Sequence, residues 1–195
     1  ASSRTSSTTT DAGLREHMIS VYNNMSVALG ISGAVAFIVA SSPALMQLFF
    51  GSALSIVVMF APLAFVFFFM HKIQAISAAK AKNYLWTFAV LMGISLSAIF
   101  VIYTGTSIAR TFFISASTFG AMSIYGYTTK KDLTAMGSFL MMGLFGIIIA
   151  MIINIFLQSS ALEFAISAIG VLIFIGLTAY DTQKIKRNYC QFAGN

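Results

Sequence analysis

The 195-residue chain is 58% hydrophobic and 8% charged, with a formal net charge of +6 and a mean hydropathy of +0.90. That balance is far from a soluble domain and identifies an integral membrane protein with little chain left over for a folded catalytic or receptor domain outside the bilayer. The positive charge falls between apolar blocks rather than along a polar face, which argues against a nucleic-acid partner and assigns the basic residues to orienting the chain in the membrane.

In chain order, residues 1–20, opening with "ASSRTSSTTTDAG", lack the apolar region of a signal peptide and are expected to form a disordered or weakly ordered cytoplasmic tail. Six apolar blocks follow, at about 21–40, 52–70, 84–103, 111–127, 134–157 and 161–180. Segments of about 20 residues, rising 1.5 Å per residue, match the ~30 Å hydrocarbon core. Their polar residues are mostly Ser, Thr and Asn, and runs such as "IVVMFAPLAFVFFFM" show no alternation that would suggest barrel strands. The fold class is therefore all-α, a polytopic membrane bundle filling residues 21–183. Pro62 is expected to bend the second helix. Residues 184–195 read as a cytoplasmic basic tail or the start of a further loop.

The basic residues set the orientation. Arg4, Arg15, Lys72, Lys80, Lys82, Lys130, Lys131, Lys184, Lys186 and Arg187 fall on one side of the six-span arrangement and Arg110 alone on the other. Lys and Arg collect in short cytoplasmic loops, so both ends of the six-span segment, "HKIQAISAAKAKN" and "TTKKD" face the cytoplasm. Short loops and basic cytoplasmic edges point to a multi-pass protein of a bacterial inner membrane. In the fourth block, Ala116, Gly120, Ser123 and Gly126 align small residues along one stripe, which would let another backbone approach closely.

Candidates for chemistry are few. Asp181 is one of five carboxylates and sits where the sixth apolar block gives way to basic residues, a costly position unless it meets water, a base or a proton. The alternative is a helix-end acid paired with Lys184 or Lys186. Asp132 reads as a cap or first-turn acid of the fifth helix, and Glu163 as a first-turn acid of the sixth. Asn154, deep in the fifth block, is either interhelical glue or a pore-lining residue. His71 and Lys72 lie at a membrane boundary. With two histidines, one cysteine (Cys190) and scattered acids, no zinc spacing or resident cofactor is expected, and the metal contact left open is transient calcium at Asp181 with carbonyl oxygens. No G-x-S-x-G turn or phosphate loop occurs, so an enzyme is not expected.

The segments "YTGTSIARTFFISASTFGAMSIYGYTTKKDLTAMGSFLMMGLFGIIIAMIINIF" (Tyr103–Phe156) and "IGVLIFIGLTAYDTQKIK" (Ile169–Lys186) resemble, in order and spacing, those of the Bax-inhibitor, or transmembrane BAX inhibitor motif, family, with a bacterial member as the nearest kind. The resemblance implies six helices around a central seventh, and no seventh apolar block follows 161–180. Seven helices are thus expected of the complete protein. It further implies that Asp181 matches a sixth-helix acid that shares a proton with an acid of the seventh helix.

On this reading the expected function is a passive, pH-sensitive calcium leak gated near the cytoplasmic side, with Asp181, Asn154, His71 and Lys72 as pore or gating residues. Its partners are the lipid bilayer, calcium ions and protons. The alternative is a membrane-embedded regulator or accessory subunit of a larger complex, such as a modulator of a membrane protease, working through its small-residue faces on a membrane-protein partner.

Overall fold

The computed structural model describes residues 11–69, 71–73 and 75–192. Every regular element among them is helical: α1 (Ser2–Ser41), α2 (Pro43–Phe50), α3 (Leu54–Met70), a 3₁₀ turn (Ile73–Ala75), α4 (Ala78–Leu96), α5 (Ile99–Ile102), α6 (Gly105–Thr128), α7 (Thr134–Leu157) and α8 (Ser160–Ala193). The chain forms two compact units, one of Ala1–Met18 with Phe112–Asn195 and one of Ile19–Thr111.

Side-chain size decides what is inside. Ala179 and Ser97 are fully covered and Ala89 is 1% exposed, whereas Phe68 is 76% and Phe156 83% exposed. In lipid the large apolar side chains gain nothing by leaving the surface, so helices associate through small residues that bring backbones together. In the second unit this is seen where α1 meets α4. The Ser32 hydroxyl donates to the Ala89 carbonyl at 2.7 Å, and a Cβ added at Gly93 would stand 2.6 Å from the Ser32 carbonyl oxygen. Phe65, Phe69, Tyr84 and Phe88 fill the space between α3 and α4, with the Phe65–Phe69 and Phe69–Tyr84 ring centroids each 4.2 Å apart.

The all-α, polytopic membrane architecture is as expected, and the crossings differ in detail. Asp11–Ser41, Ala78–Ile102, Thr134–Leu157 and Ser160–Phe192 are long and apolar enough to cross a bilayer, and the bent pair Pro43–Phe50 with Leu54–Phe69 makes a fifth if it crosses as one. Among the described residues, length and apolarity by themselves thus support four or five crossings against the six expected. The remaining block lies in α6, whose 24 residues suffice in length but include Arg110 and a series of Ser and Thr. The 81° bend of the Pro43–Phe50 and Leu54–Phe69 pair falls in the Gly51–Ala53 break at the start of the second block, and Pro62 sits inside the α3 helix. Ser42 caps α2 by accepting from the Leu45 N–H, and Pro43 occupies a first-turn position that needs no amide proton.

Both expected tails differ from the sequence reading. Residues 11–20 continue α1 as helix, with Leu14 and Met18 buried, while residues 1–10 of that expected tail lie outside the described residues. Beyond Asp181, α8 runs on through the basic residues, so the expected tail or loop at 184–192 is helix too, and 193–195 lie outside the described residues. Tyr189 explains why the helix persists: its ring stacks on His17 of α1 at 4.9 Å between centroids. The helix is therefore held by packing after its apolar stripe has ended.

Candidate functional site

Within the first unit, α8 is the element to which the others attach. It lies antiparallel to α7. Glycines on each helix meet side chains of the other: Gly137 faces the Tyr180 ring, Gly176 faces Leu140, Gly143 faces Ile173 and Gly170 faces Ile147. On α6, a Cβ at Gly126 would run into the backbone of Ala179. Asp181 follows these two contact residues directly but turns away from both, because each helical residue is rotated about 100° from the last, and its side chain is exposed.

Asp181 has no hydrogen bond or ion pair among the described residues. No direct salt bridge to Lys184 or Lys186 forms, although Lys184 is close enough to act on the carboxylate electrostatically. The Lys184 ammonium lies 5.9 Å from the Tyr180 ring centroid, and the Lys186 ammonium donates to the Tyr127 carbonyl at 2.7 Å while standing 4.9 Å from that tyrosine's ring centroid. Asn154 belongs to the other end of the α7–α8 pair, roughly 25 Å along the axis at 1.5 Å per residue. Its side-chain oxygen accepts from the Ser159 N–H at 3.0 Å and its carbonyl accepts from Gln158, which holds the left-handed turn (φ 48°) that ends α7. Asn154 therefore builds a turn, and with Gln158 and Glu163 it lines a cavity of about 570 Å³. Glu163 occupies the first turn of α8.

His71 and Lys72 lie in the second unit, both exposed. His71 ends α3, with Nδ1 3.4 Å from the Phe67 carbonyl oxygen, and Lys72 precedes the 3₁₀ turn. Of the small-residue stripe, Ser123 and Gly126 are buried, Gly120 is half-buried with open space beside it, and Ala116 is exposed. Only the half of the stripe beside Ala179 serves as a packing face in this unit. Among the described residues no three His, Cys, Asp or Glu side chains come together in a way that could hold a metal ion.

A connected polar constellation was not singled out by spacing. Gln183, Lys186 and Arg187, on the continuation of α8, grip the loop between α6 and α7. The Gln183 amide donates to the Lys131 carbonyl at 2.7 Å and accepts from the Leu133 N–H at 2.9 Å. Arg187 donates to Thr134 Oγ1 at 2.8 Å, to Asp132 Oδ1 at 3.2 Å and to Gln183 Oε1 at 3.0 Å. Asp132 in turn accepts from the Thr134 N–H at 3.0 Å and hydroxyl at 2.6 Å, a turn that lies one residue before the Leu133 N-cap, so Asp132 is neither the cap nor the first-turn acid expected of it. Those Thr134 bonds, with Arg187 adding to them, hold the Asp132 carboxyl below the usual carboxylate range. The available signal was the i, i+3, i+4 spacing of Gln183, Lys186 and Arg187, which places them along one face only if the helix continues past Asp181.

Comparison with known proteins settles the family. The family described as inhibitor of apoptosis-promoting Bax1 matches residues 14–192, nearly the whole chain. The chain belongs to the Bax inhibitor family. Bacterial relatives agree. A Rickettsia prowazekii protein is 50% identical over 187 residues, covering 96% of this chain and 79% of its own length. A Caulobacter vibrioides protein is 46% identical over 194 residues, covering 95% and 78%. The inner membrane protein YbhL of Escherichia coli is 45% identical over 176 residues, covering 90% and 75%. No solved structure matches. The inner-membrane location expected for this Bax inhibitor family member agrees with that of YbhL.

Proposed function

We propose that this protein is a passive leak for calcium whose open fraction is set by protonation of Asp181. The observation that carries the reading is the position of that carboxylate. It stands in a helix apolar enough to cross the bilayer, without a hydrogen bond or ion pair among the described residues, one and two residues from the contacts Tyr180–Gly137 and Ala179–Gly126. A charge in such a place is costly unless it meets water, a cation or a proton, and a change in its state acts on α8 where that helix is wedged against α6 and α7. Asn154, in the cavity at the other end of the α7–α8 pair, is the candidate for a second contact along the ion path, and His71 and Lys72 are candidates for electrostatic bias of the gate.

The test is calcium flux into liposomes across a pH series, with Asp181→Asn in parallel. A fixed neutral amide should flatten the pH response and change the flux. Unaltered flux with an unaltered pH profile in the variant would sink the reading. The second reading, a membrane-embedded regulator, is favoured by one feature: among the described residues a Cβ at Gly30, Gly33, Gly120 or Gly146 would meet nothing within 4 Å, which leaves small-residue positions for another helix to approach. Background-level flux together with stoichiometric copurification of a membrane protein would select it.

A further inference from the structure

The loop gripped by α8 is also the floor of a cavity of about 430 Å³, lined by Thr129, Lys130, Lys131, Asp132 and, from α8, Gln183, Lys186, Arg187 and Cys190. Its charges do not cancel. Asp132 is matched by Arg187, which spends its two terminal nitrogens on Asp132, Thr134 and Gln183. Lys186 is fixed by the Tyr127 carbonyl and ring, a dipole and a quadrupole that orient the ammonium without neutralising it. The side chains of Lys130 and Lys131 are exposed and make no hydrogen bond or ion pair among the described residues. Three lysines with no acidic partner among the described residues therefore line a shallow, open concavity whose loop backbone is held by Gln183.

Positive charge on cytoplasmic loops is common in membrane proteins and needs only a flat, solvated surface. This one is different in that the loop backbone is tied at both Lys131 and Leu133 to a single side chain, Gln183, which presents the two free lysines beside a third that is already oriented. The concavity is shallow and open to solvent, and its volume is that of a small anionic group rather than of a buried pocket. Three lysines lining one concavity suit a group with several anionic oxygens. The apolar faces of α6 and α7 are exposed just inside the membrane from this loop, at Ile124 (66%) and Phe139 (69%), so a group held here could carry acyl chains.

We propose that Lys130, Lys131 and Lys186 form a binding site for a phosphate-bearing anion, the shared chemistry of an acidic phospholipid headgroup and a soluble phosphate. The site is independent of ion conduction. Cys190, the chain's single cysteine, lies in its wall and is exposed, so it reports occupancy through its rate of alkylation by an uncharged maleimide. In one arm the full chain in neutral detergent is titrated with inorganic phosphate. In the other it sits in nanodiscs of phosphatidylcholine with or without phosphatidylglycerol, and native mass spectrometry counts the retained lipid.

At about a fivefold effect per lysine near a charged surface, Lys130→Gln combined with Lys131→Gln should weaken binding roughly 30-fold. Lys80→Gln combined with Lys82→Gln removes the same charge from the other unit and should change it less than about 3-fold. Protection of Cys190 by inorganic phosphate assigns a soluble anion, and protection and retention only with phosphatidylglycerol assign the headgroup. Either supports the site, provided the loop variant abolishes it. Equal loss in both double variants would reduce the effect to diffuse surface charge, and no protection of the wild-type protein in either arm would overturn the proposal outright.

Discussion

Replacing Gly126 by alanine tests how the first unit is assembled. An alanine Cβ there would overlap Ala179 at its carbonyl oxygen, carbonyl carbon and Cα, the latter two at 2.9 Å. These are backbone atoms of a helix and cannot rotate away, so α6 must retreat from α8. Overpacking of this kind costs about 1–3 kcal/mol. Alanine also gains up to about 1 kcal/mol of helix propensity over glycine, which would mask part of the effect. Gly120→Ala supplies the correction, because it lies in the same helix and its added methyl meets nothing within 4 Å. The difference between the two variants isolates the contact and should be about 1–3 kcal/mol, with Gly126→Ala the less stable. Reversible unfolding by a titrated denaturing detergent in mixed micelles measures it. Equal stabilities would mean that α6 and α8 do not pack through this point, and the account of α8 as the organising helix would fall with it.

Gln183→Ala removes both side-chain bonds to the α6–α7 loop and should raise the hydrogen-exchange rate of the Leu133 amide about tenfold or more, at roughly 1 kcal/mol per lost bond; protection unchanged from wild type would place the loop's order elsewhere. The Asp132 carboxyl is held below its ordinary value by Thr134 and Arg187. A lowered folded value contributes stability that is present above the unfolded value of about 4 and is lost as pH falls through the folded one. Thermal stability measured from about pH 6 down to pH 3 should therefore fall more for the wild type than for Asp132→Asn, which has no proton to take up; parallel curves would refute the assignment. The flux test on Asp181 and the alkylation test on the Lys130 and Lys131 site complete the set, and their readouts are separable because binding at the loop does not require conduction.

Apolar runs without alternation, at lengths suited to the bilayer, determined from sequence alone that this is a helical membrane protein, since unsatisfied backbone groups are too costly in lipid for other open arrangements. The uneven distribution of Lys and Arg likewise determined its expected orientation, and Glu163 could be read as a first-turn acid because that effect is local. Tertiary contacts decided the rest. Whether α8 stops at Asp181 or continues depends on Tyr189 meeting His17 and on Gln183 and Arg187 meeting the 129–134 loop, partners distant in sequence. Asn154 could be glue or pore lining by sequence, and only the turn it closes on Ser159 assigns its hydrogen bond. The same holds for the small-residue stripe: four positions share one helical face, but only Ser123 and Gly126 are buried, because a small side chain permits close approach without specifying what approaches.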